Sequence, residues 1–207
     1  MRIVLAGILA LIVAGSVVAI DTEYVPYDQI QGEHWDLKFE FKTPRRIVMA
    51  QPDGTQKAFW VLVYTVTNTD QEAHDYQPVA LMLSDSGRVG KDGLYPDVVE
   101  KVKSEYRLRE LADTSKIRGQ LKAGEDEARD GVFVFPEVDL KMDQFTIFIS
   151  GLSGEHILKT LRPAKEGEEA KIVALYKTMQ LVFKFPGDEE NRSADKVYFE
   201  SQKWIWR

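Results

Sequence analysis

The side chains able to do chemistry are few and scattered. The three histidines, His34, His74 and His156, stand 40 and 82 positions apart. None shows the short spacing by which one helix or turn offers two ligands to a metal. Isolated histidines in loops or at strand edges are expected instead. His74-Asp75 with Ser84 or Ser153 has the residue types of a nucleophilic triad, but no Gly-x-Ser-x-Gly elbow marks either serine. With no cysteine in 207 residues, thiolate metal sites, cysteine nucleophiles and disulfides are all excluded. No spacing singles out a carboxylate pair for glycoside chemistry, which needs only proximity in space.

The densest group of candidates runs from Asp85 to Leu111. Asp85, Asp92 and Asp97 border a segment containing Gly87, Gly90 and Gly93. Oxygen ligands in a flexible loop suit calcium, but Arg88 and Lys91 lie among them and the Asp-x-Asp-x-Asp-Gly order is absent. The glycines also lack the Lys-Ser/Thr that completes a phosphate loop. Neither a metal nor any other cofactor is expected. As an irregular insertion on a regular scaffold, the segment is where binding is expected, through Asp85, Arg88, Lys91, Asp92 and Tyr95. A second candidate surface is the last strand, where Trp204 and Trp206 alternate with Tyr198 in phase. Exposed, they would form a stacking platform; buried, they would close the core, and core packing is the expectation.

The elements that must position these residues follow a period of two. Trp35 to Phe41 alternates apolar and charged residues, as a strand with one wet face does. Phe59 to Thr67 is apolar on both sides and belongs in the middle of a sheet. Further strands are expected over Pro78–Ser84, weakly over Ile117–Leu121, then over Gly131–Phe135, Asp143–Ser150, Ile172–Phe185 and Lys196–Trp206. Asp85–Gly93 reads as an irregular loop. Pro96 fits the first position of a helix. Val98, Val99, Val102 and Tyr106 then recur at spacings of three and four, predicting a surface helix of about four turns. Eight to nine strands and one inserted helix near 95–111 make an all-β antiparallel sandwich.

Composition sets the surroundings. Apolar residues make up 44% and aromatics 11%, so the chain can build a core. A net charge of −6 and a pI near 5.2 argue against nucleic acid as a partner. Residues 1–19 carry Arg2, an apolar run and Val17-Val18-Ala19, the layout of a secretory signal. Uncleaved, the same segment would be the only membrane contact, and Arg2 would still leave the rest outside. Residues 20–207 are expected to form a single extracytoplasmic domain, periplasmic or secreted.

Gly131-Val-Phe-Val-Phe-Pro-Glu-Val-Asp139, the following Asp143-Gln-Phe-Thr-Ile-Phe-Ile-Ser-Gly-Leu-Ser-Gly-Glu155 and the earlier Trp60-Val-Leu-Val-Tyr-Thr-Val-Thr-Asn68 together resemble exported bacterial proteins with immunoglobulin-like sandwiches. That broad group includes secreted immunoprotective antigens and many members of unassigned activity. The resemblance implies a fold more than a function, and it covers residues 57 to 155. The chain departs from antibody-type domains in having no cysteine pair.

Two functions are compatible with these residues. The favoured one is an exported, non-catalytic binding or structural module of the cell envelope. It would contact a protein or glycan partner through loops or an edge strand. The alternative is an extracytoplasmic carbohydrate-active enzyme, or a lectin-like binder, on the same sandwich.

Overall fold

The stretch from Phe59 to Val66 can be stable only with a layer on each side, and it has both. The computed structural model describes residues 25–51, 53–137, 139, 141–162, 171–186 and 196–207. In it this stretch lies within β4 (Gln56–Thr67), bordered along one edge by β2 (Lys38–Phe41) and β3 (Arg45–Ala50) and along the other by β9 (Arg129–Pro136). The larger sheet runs in the order β1 (Ile30–Asp36), β11 (Ser153–Arg162), β12 (Lys171–Lys184), β10 (Gln144–Ser150), β6 (Val79–Ser84) and β7 (Val89–Lys91). Its seventh strand, β13 (Tyr198–Trp206), also pairs with β12. All these pairings are antiparallel. A short ribbon, β5 (His74–Tyr76) with β8 (Gly119–Leu121), completes the strands.

The core lies between the sheets. Trp60, Leu62 and Tyr64 of β4 and Phe133 and Phe135 of β9 meet Met82, Phe145, Ile147, Met179, Leu181 and Phe183 from the larger sheet. Tyr64 stacks on Phe133 at 4.5 Å between ring centroids, and Phe145 on Phe183 at 5.4 Å. Gly131 allows the first of these stacks, because any Cβ there would run into the Tyr64 ring and Ile117. The opposite face of β4, with Phe59, Val61 and Val63, is covered by the helix α1 (Pro96–Tyr106) through Val98, Val99 and Val102. Each buried valine contributes on the order of 1.5 kcal/mol or more. Pro96 opens the helix and Arg107, left-handed at φ 53°, closes it. Over the described residues the molecule is an antiparallel β-sandwich with one inserted helix longer than a single turn.

Several expectations need correction. Trp35 to Phe41 is not one strand: the chain crosses from the larger sheet to the smaller at Leu37, whose N–H donates to the Leu152 carbonyl at 2.8 Å. Both strands bury the same face, so the period of two continues although the pairing partner changes. Ile117 ends a short helix, α2 (Thr114–Ile117), and only Gly119–Leu121 is extended. Asp113 caps that helix by accepting from the Ser115 and Lys116 N–H groups at 2.9 and 3.1 Å. Asp85–Gly93 is an ordered hairpin rather than an irregular loop. β11 was not expected, and α1 has 11 residues, three turns rather than four. Among the described residues there are thirteen strands where eight or nine are expected, because several are short or polar. The predicted signal, residues 1–19, lies outside the described residues. Among those described, no helix is long and apolar enough to cross a membrane.

Candidate functional site

The hairpin joining β6 and β7 carries most of the residues singled out from sequence. Its loop closes with the Gly87 N–H on the Ser84 carbonyl at 2.9 Å and the Ser84 N–H on the Arg88 carbonyl at 2.9 Å. Gly87 sits at φ +83°. This is the three-residue hairpin loop, a turn followed by one left-handed residue, that glycine favours. Asp85 braces it from outside, its Oδ2 accepting from the N–H groups of Asp143 and Gln144 at 2.8 and 3.2 Å. Asp139 braces the other side by accepting from the Ser86 hydroxyl and from the Lys141 N–H at 3.0 Å.

At the far end of β7, Asp92 joins the two sheets. The N–H of Val134 in β9 donates to Oδ1 at 2.7 Å, and the Thr114 hydroxyl of α2 donates to Oδ2. The Gly93 N–H donates to the Val134 carbonyl at 3.1 Å. Burial pushes the Asp92 carboxyl up to about 6, against the pull of these hydrogen bonds, with Asp113 adding to the rise. Behind it the Tyr76 and Tyr64 hydroxyls lie 3.3 Å apart, and burial holds both phenols well above their ordinary range. A polar bond thus ties the sheets at this corner in a chain that has no disulfide to do so.

Clefts open on both sides of the hairpin. One, of about 290 Å³, is floored by Val79, Ala80 and Leu81 and walled by Lys91, Asp92, Leu94, Thr114 and Arg118. Neither Lys91 nor Arg118 has a hydrogen-bond or ion-pair partner among the described residues. A smaller hollow of about 180 Å³ continues from Val79 and Leu81 along the outer face of the larger sheet to Phe148, Tyr176, Thr178 and Arg207. On the other side, a cleft of about 500 Å³ gathers Lys57, Arg88 and Lys141 with Glu137 and Asp139. Both of its carboxylates are engaged: Glu137 takes two hydrogen bonds from Arg46, at 2.5 and 2.8 Å.

The predicted residues therefore part company. Lys91 and Asp92 share the first cleft, and Arg88 lines the third. Asp85 is a loop brace. Tyr95 docks α1, its ring 4.7 Å from that of Phe59 with Lys57 above both. Trp204 is half-buried against the core with the Lys177 ammonium 5.1 Å from its ring, and Trp206 is half-buried beside it. Tyr198 is not in phase with them. A bulge at Glu200, between the pairs Val182 with Ser201 and Phe183 with Phe199, turns it to the opposite face.

Two of the three histidines are held by carboxylates, and the ring of the third, His156, lies 5.7 Å from that of Tyr176. His74 Nε2 lies 2.8 Å from Asp70 Oδ2, and its ring stacks on Trp35 at 4.5 Å. His34 Nδ1 lies 3.0 Å from Glu155, which also pairs with Lys177 at 2.9 Å, and Lys177 reaches Asp36 at 2.7 Å. Burial works against the Glu155 charge, but the bonds from His34 and Lys177 outweigh it and hold the carboxyl below its usual range. Ser84 bonds Ser86 and the Arg88 N–H, and Ser153 accepts from the Glu155 N–H. No three His, Asp or Glu side chains converge as metal ligands would among the described residues. Sequence reasoning missed Arg118, Thr114, Val79, Tyr176 and Arg207. Only Thr114 had a signal, as the residue after a helix-capping aspartate.

No family model, curated protein or solved structure matches the chain. The resemblance to immunoglobulin-like exported proteins therefore rests on the quoted sequence motifs alone.

Proposed function

We propose that this chain is an exported, non-catalytic binding module whose partner lies on the outer face of the larger sheet beside the β6–β7 hairpin. One observation carries the reading: Lys91 and Arg118, two cations without a partner among the described residues, line one cleft with the apolar side chains of exposed Val79 and half-buried Leu81. A folded chain gains little by leaving both kinds of group uncovered, whereas a partner turns both into contacts. Export is supported by the signal-like residues 1–19. Against an acid–base enzyme at this cleft stands Asp92, whose two oxygens are already taken by Val134 and Thr114.

The test is affinity capture from envelope fractions of the source cell, using the wild-type chain and Val79→Glu. A defined component retained by the wild type and lost with the variant is expected. Retention of nothing specific, or of the same component by both, contradicts the reading.

A further inference from the structure

The first cleft and the hollow beyond it share Val79 and Leu81 and form one continuous groove along the outer face of the larger sheet. Its floor is recessed. Phe148 and Thr178 are each 3% exposed there, while Val79 at 51% and Tyr176 at 47% stand at the rims. Cations mark both ends: Lys91 and Arg118 at one, and at the other Arg207, whose guanidinium lies 4.1 Å from the Phe148 ring centroid. Among the described residues the only side-chain carboxylate lining either part is Asp92, both of whose oxygens are hydrogen-bonded.

We infer that this groove binds an extended polypeptide segment of a partner, with apolar side chains in its centre and carboxylates towards its ends. The inference rests on the binding-module reading and names the partner's chemistry. Charge complementarity requires an acidic occupant. The recess favours a chain over a membrane surface, because a flat bilayer cannot reach Phe148 past Val79 and Tyr176. The lining also mixes apolar Val79, Leu81 and Phe148 with the hydroxyls of Ser150, Thr178 and Thr114. A polypeptide can offer both apolar side chains and amide groups to such a surface, and an acyl chain cannot.

The test is fluorescence anisotropy of the full chain with three labelled decapeptides: leucine and valine alternating with glutamate, the same with lysine for glutamate, and glutamate alternating with serine. The first is expected to bind at least about tenfold more tightly than either control, and Lys91→Glu with Arg118→Glu to weaken it at least about tenfold. Neither side chain has a partner among the described residues, and far-UV circular dichroism is used to check that the double variant is folded. Equal binding of the lysine peptide, or full binding by the double variant, overturns the inference. So does binding to phosphatidylglycerol vesicles with no binding of any peptide, which would make the site a membrane contact. Capture of an envelope component that depends on Val79, with all three peptides inert, would defeat this inference and leave the binding-module reading standing.

Discussion

The two sheets turn different outer faces to their surroundings. Ile47, Phe59, Val61, Val63, Val132 and Val134 on the smaller sheet lie under α1 and form a second core. The larger sheet is also apolar outside, with Val79, Leu81, Phe148, Tyr176, Val182 and Ile205, but it has no covering layer among the described residues. Its deepest members, Phe148 and Ile205, are 3% and 2% exposed, shielded by side chains on the same face, and Arg207 stacks on Phe148. Its margins are open: Val79, Val89, Leu158, Ile172 and Tyr176 are each 45% exposed or more. The comparison teaches that the fold can supply a cover when stability requires one. Where it supplies none among the described residues, the open face carries Lys91 and Arg118 beside apolar side chains, and this is the face to which the proposed function assigns a partner.

The largest effect should come from breaking the covered face. Val102 is fully buried beneath α1, so Val102→Asp should cost about 4 kcal/mol in urea unfolding, because the new carboxylate has no partner. Val79→Asp, on the open face, should stay within about 0.5 kcal/mol of the wild type. Equal costs would erase the contrast between the faces.

Next comes the bond between sheets. The Asp92 carboxyl titrates near 6 in the folded chain, above its ordinary 3.8. The folded state therefore holds the proton longer than the unfolded chain does, and this residue's contribution to stability falls as pH rises from about 4 to about 6. Asp92→Asn can still accept from Val134 and reach Thr114 without ionising. Relative to the wild type it should gain about 2 to 3 kcal/mol between pH 4 and pH 7 in paired urea titrations. A difference that does not change with pH would show that the carboxyl titrates normally.

The smallest effect concerns the shield of the open face. Arg207→Ala should cost about 0.5 to 1 kcal/mol through loss of the contact with Phe148. It should also increase binding of an apolar fluorescent dye, and unchanged dye binding would mean that Arg207 does not shield this face.

How much of this was legible in the sequence depends on burial. β4, β10 and α1 were readable because their periodicity reports which faces are buried, and those faces are fully buried. β1 and β11 were not, because most of their residues lie at the margins of the larger sheet and alternate no apolar face. Hydrogen bonds to β12 and to each other define them instead. The site was half legible. The segment carrying Arg88, Lys91 and Asp92 was found by its polar and glycine-rich texture. Val79 reaches the cleft through the pairing of β6, Arg207 arrives at the end of β13, and Arg118 follows α2, which the Thr114–Asp92 bond holds beside the hairpin.

The most direct test of the central claim compares the two faces within one experiment. A photo-reactive residue is placed at Val79 on the open face and, separately, at Glu100 on the exposed side of α1, and each chain is irradiated in cells of its source. A discrete cross-linked species from Val79 and none from Glu100 is the predicted result. Equal cross-linking from both positions, or none from Val79, would contradict the account.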